Sequence, residues 1–464
     1  MPPHPHCHWR GAADWKSLGL ELSTTSDEAC KQFDALLTQI VNHYDDETVG
    51  GAAGCIEKMF KADPEFLMGH VVKLGVSGQL VHKDPSFAQD IYKMASLAQQ
   101  PHVKLWERKH AHAVQKLCEG KPSQAASIWE DILVDKPTDI ISLKFLHDMY
   151  IMNGLSYGLR DSLARVQPYW KPQLPFYGDV LGMYAFGLEE TNMYSEAEKT
   201  AKMALDINRY DAWATHCVAH VCEMTGRFKD GIKFMMDTEN DWNDNGLQCH
   251  NYWHTALFHT ESGDFESAYG ILDKHIIPFM NKNKSMFSLT DAASLCFRLE
   301  AEGYDVGNRW LDCYNTSKDH VEDTVWSYFD INTMISCLGA KKTSDCDNLI
   351  SQLKHVIKEN IGENAAIYRD ITLPICEALQ AYDDSNFDLA VEIMKPLKYH
   401  IHRVGGSHAQ RDLFNLFAIH AALRSSKPEN QKYARHLLME RKSQKETPLA
   451  DRLLQRLVDA HGSS

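Results

Sequence analysis

No run of this sequence approaches the roughly 18 uninterrupted apolar residues that suggest a membrane span, and the opening MPPHPHCHWRGAADW has no apolar stretch of a secretory leader. A cytoplasmic chain with no membrane partner is expected. Its 12 cysteines are scattered, without a C-x-x-C pair, which excludes a disulfide framework and reads as reduced thiols serving as small core residues. Alternating β-branched runs are scarce, and regularly spaced short strands are missing. Basic charge is also short: 48 Lys and Arg against 63 Asp and Glu leave a net charge of −15, so no nucleic-acid partner is expected. The phosphate-loop, dinucleotide, H-E-x-x-H and G-x-S-x-G motifs are all absent.

What is abundant is helical periodicity, with apolar residues recurring at helix spacing in segments of about 12 to 15 residues between short Gly, Asn, Asp or Pro turns. Ala185, Asn192, Tyr194 and Ala197 recur 34 residues later as Ala219, Gly226, Phe228 and Gly231. A small residue, a turn residue, an aromatic and a second small residue at that period form the tetratricopeptide pattern. Each helical hairpin leaves an apolar face that only the next hairpin can bury. The pattern predicts an all-α protein: an α-α superhelix, or tetratricopeptide-like solenoid, built as a single continuous right-handed array over 21–460. The clearest repeats fall near 107–139, 179–211, 213–240, 250–280 and 371–400, and residues 1–20 are expected to be a mobile N-terminal segment. Residues 281–318 are helical in pattern without a clean repeat. The run HPHCHW, with His4, His6, Cys7 and His8, reads as disordered and incidental rather than chelating.

The blocks LSTTSDEACKQFDALLTQ, ADPEFLMGH, PTDIISLKFLHDMY, GLEETNMYSEAEK, DAWATHCVAHVCEM, CHNYWHTAL, VGGSHAQRDLFN and PLADRLLQRL together resemble the tetratricopeptide repeat protein 38 family, over nearly the whole chain. The resemblance implies a helical repeat fold and supplies no catalytic residues. Tetratricopeptide domains that clamp chaperone tails carry Lys and Asn on the inner helix. His216 and His220 stand there instead, so a chaperone-tail clamp is not expected.

Histidine is plentiful, at 24 residues, and it is the side chain that titrates or binds metals near neutral pH. Trp213, His216, His220 and Glu223 step by three, four and three along one helical face, and His250 and His254 repeat the four-residue step around Trp253 on the next hairpin. Glu189 aligns with Glu223 one repeat earlier. In a tetratricopeptide hairpin these positions line the concave face, so the stripe is expected to face a groove. Two imidazoles four apart with a carboxylate can ligate a divalent metal, and an imidazole beside a carboxylate can act as a general base. Gly405, Gly406 and Ser407 open a helix whose face carries His408, Arg411, Asp412 and Asn415, where an anion or a capped helix with an Arg–Asp pair is expected. Lys144, His147 and Asp148 mark a further polar face with an internal ion pair.

The expectation is therefore a binding protein whose groove holds a peptide, protein or small polar ligand. The binding residues would be Glu189, Trp213, His216, His220, Glu223, His250, Trp253, His254, His408, Arg411 and Asp412. The alternative is an enzyme using His216, His220, Glu223, His250 and His254 with a bound metal or as acid and base; no cofactor beyond a possible divalent metal is implied.

Overall fold

The computed structural model describes residues 4–77 and 86–461; residues 1–3 of the N-terminal segment expected to be mobile over 1–20 lie outside them. The described residues are all helical, without a strand, and successive helices pack on one another as the hairpins of an α-α repeat. None of these helices is long and apolar enough to cross a membrane.

The helices that matter below are labelled in chain order. They are α1 Asp27–Asn42, α2 Ile140–Met152, α3 Ser156–Val166, α4 Tyr177–Glu189, α5 Tyr194–Ile207, α6 Ala212–Met224, α7 Phe228–Asp237 and α8 Gln248–Ser262, followed by α9 Met286–Ala301, α10 His408–Arg424, α11 Pro428–Gln444 and α12 Pro448–His461. The turn residues behave as the repeat pattern requires. Asn192, Gly226 and Gly263 take left-handed conformations, at φ 63°, 71° and 89°, just after α4, α6 and α8. Glycine and asparagine tolerate that region, and there they reverse the chain into the second helix of each hairpin. Ala197 and Ala268 are fully buried on those second helices.

The chain divides into two compact units, residues 1–151, 156–217 and 241–246 in one, and 152–155, 218–240 and 247–464 in the other. The division passes through the middle of α6, where no change in composition marks it.

In the first unit the N-terminal segment is packed, which corrects the expected mobile tail. His6 Nε2 lies 2.7 Å from an oxygen of Asp34 on α1, and the Arg10 guanidinium donates to the other oxygen at 2.6 and 3.0 Å. His4 lies 3.1 Å from Asp179 on α4. Buried carboxylates need such partners, and despite burial Arg10 and His6 hold Asp34 below the usual carboxylate range. HPHCHW is thus a strap in which His4 and His6 meet buried acids.

In the second unit α8 and α9 are buried nearly all round. A helix apolar on every side needs cover on both faces. The C-terminal helices provide it: Arg298 on α9 donates to the Ala409 carbonyl on α10 at 3.0 Å, and Arg452 on α12 donates to the Thr260 carbonyl on α8 at 2.8 Å. The inner faces of α8 and α9 are therefore occupied by the chain's own C-terminus.

Candidate metal centre

Helix α6 carries His216, His220 and Glu223 on one face, and α8 carries His250, Trp253 and His254. His220 and His254 are fully buried, and their ring centroids lie 4.4 Å apart. His250 and His254 are 4.8 Å apart. One ring nitrogen from each of His220, His250 and His254 lies within 4.8 Å of the others. The i, i+4 step of His250 and His254 places both rings on one side of α8, where His220 meets them.

The rings are oriented from outside. His254 Nδ1 lies 3.1 Å from Glu223 Oε2, and His250 Nδ1 lies 2.8 Å from Asp291 Oδ1 on α9. Of the two nitrogens on each ring, Nε2 is then the one that would carry an ion, with the carboxylate fixing tautomer and ring plane. Trp253 locks the arrangement: its ring stacks on His250 at 4.9 Å, its Nε1 donates to Ser294 Oγ at 3.0 Å, and the Arg298 guanidinium lies over the same ring at 5.5 Å. The centroid spacings suit shared coordination. With metal–nitrogen bonds of about 2.0 to 2.1 Å and roughly another 1.1 Å to each ring centre, centroid separations of 4.4 and 4.8 Å correspond to bond angles between about 85° and 100°. Imidazole suits zinc, copper, iron and nickel. The His250 side chain is 15% exposed, which puts the solvent side of the group at that ring.

Several expected site residues stand elsewhere. Trp213 packs against His147 at 4.5 Å and Phe186 at 5.4 Å, as core and not as a groove anchor. Glu189 is fully buried on α4. The expectation of an open concave groove is corrected for all of Glu189, Trp213, His216, His220, Glu223, Trp253 and His254, because each is buried. Glu223 orients His254 and is not among the grouped donors.

The helix start at Ser407 is closed rather than open to an anion. Ser407 Oγ accepts from the Gln410 amide, Gln410 Oε1 accepts from the Ser407 amide, and Arg411 donates to the Gly406 carbonyl. His408, Arg411 and Asp412 therefore do not form one site. Asp412 pairs with Arg441 at 2.5 Å, in place of the Arg411–Asp412 pair considered from sequence. The Lys144–Asp148 pair does form, at 2.6 Å.

Sequence reasoning missed Asp291, Ser294 and Arg298, although they step by three and four along an otherwise apolar helix. The rule that found His216 and His220 finds them too. No protein-family model matches the chain.

Proposed function

We propose that this chain is a metalloprotein of the helical-repeat class, holding a divalent first-row transition ion between His220, His250 and His254. The observation that carries the reading is the pairing of convergence with outer support: the buried His220 and His254 and the partly exposed His250 meet edge to face while Glu223 and Asp291 hold the Nδ1 atoms of His254 and His250. Three imidazole nitrogens with an open fourth position suit an ion such as zinc, and the two carboxylates behind them offset its charge. Membership of the tetratricopeptide repeat protein 38 family, and residence in the cytoplasm, are part of the same reading, and rest on the sequence blocks and composition described above. A peptide-holding groove is set aside, because the side chains that would line it are buried.

Metal analysis of the purified full chain tests this. About one equivalent of bound ion is expected, lost in His220→Ala and His254→Ala and kept in a variant of the exposed His112. A chain that stays metal-free after incubation with excess zinc or cobalt and desalting would overturn the proposal.

A further inference from the structure

Glu223 belongs to two groups at once. Its Oε2 meets His254, and its Oε1 lies 3.7 Å from the Lys445 ammonium at the end of α11. Lys445 is buried and also lies 3.3 Å from Glu261 on α8 and 3.7 Å from Asp412 on α10. None of these contacts is a hydrogen bond. Arg441, one turn earlier on α11, bridges Glu261 and Asp412 at 2.6 and 2.5 Å. Glu223, Glu261, Asp412 and Arg298 line a cavity of about 20 Å³, the space of about one water molecule, beside the carboxylates that face Lys445. Burial opposes the Lys445 charge, but Glu261 and Asp412 outweigh it and hold the amine protonated.

Resting on the metal reading above, we propose that Lys445 is a positioning residue of the metal centre. Its ammonium restrains Glu223 from the Oε1 side, so that Oε2 holds the His254 ring in its ligating plane. Because Lys445 and Arg441 are delivered by α11, the seating of the C-terminal helices on α8 and α9 sets how firmly the ion is kept. Such coupling is reciprocal: a bound ion holds the C-terminal helices down as strongly as they hold the ion. Outer-shell partners of ligating histidines typically change metal affinity by about 10- to 100-fold when removed.

The test uses the full chain with cobalt(II) as a spectroscopic probe and zinc as the ion for hydrogen exchange. Lys445→Met is expected to bind cobalt at least about tenfold more weakly and with an altered visible band, while Lys445→Arg restores both. Zinc is expected to slow amide exchange across 428–461 in the unmodified chain and to do so far less in Lys445→Met. If Lys445→Met does not fold, Lys445→Gln takes its place with the same expected weakening. Unchanged affinity and band in the charge-removed variant, or an arginine variant as weak as the methionine one, overturns the inference and leaves the metal site standing. An unmodified chain that binds no metal removes both.

Discussion

His250 Nδ1 sits 2.8 Å from Asp291 Oδ1, a contact between α8 and α9 that joins residues 41 apart in sequence. The carboxylate is buried, so it fixes the ring with little competition from water. Asp291→Asn keeps the shape and removes the charge. The expected outcome is metal affinity lower by about 10- to 100-fold, read by competition with a chelator, with the helical circular dichroism unchanged.

Close helix crossing in the first unit rests on Gly187. A Cβ there would stand 2.8 Å from the Cα of Arg160 on α3, and backbone cannot swing aside as a side chain can. Gly187→Ala is expected to destabilise by about 1 to 3 kcal/mol in denaturant unfolding. Gly270, whose added Cβ would meet nothing within 4 Å and whose φ is not left-handed, is the control. Gly270→Ala is expected to be neutral or stabilising by up to about 1 kcal/mol.

Acid stability should report His420. Burial, then the neighbouring Arg424, Arg456 and Arg441, push its pKa down to about 3. Glu302 at 3.6 Å does not reverse this, because Arg456 engages that carboxylate at 3.0 Å. The unfolded chain titrates this residue near pH 6.5 and so binds one more proton than the folded chain between those values. Stability from His420 is fully present above about pH 6.5 and falls as the pH drops toward 3, by about 1.4 kcal/mol per pH unit. His420→Gln is expected to flatten the pH dependence of unfolding by one proton across that window.

The repeat was legible because its signals are local. Asn192 and Gly226, aligned by period alone, share the left-handed turn, and the four-residue step of His250 and His254 places these two rings together with His220. What the sequence concealed is long-range. Whether an inner face is open depends on where the last helices travel, and nothing near His254 announces that Arg441, Lys445 and Arg452 come back to cover it. The same holds for the N-terminal histidines, whose buried partners Asp34 and Asp179 lie 28 and 175 residues from His6 and His4. Asp291 was within reach, but it sits in a segment without a clean repeat, where a polar stripe on a buried helix draws less notice than paired histidines.

The most direct test is X-ray absorption at the metal edge of the zinc-loaded full chain. The account predicts about three imidazole nitrogen neighbours at about 2.0 to 2.1 Å with the outer-shell pattern of imidazole rings, collapsing in His254→Ala. A shell containing sulfur at about 2.3 Å, or an ion whose environment is unchanged in His254→Ala, would contradict it.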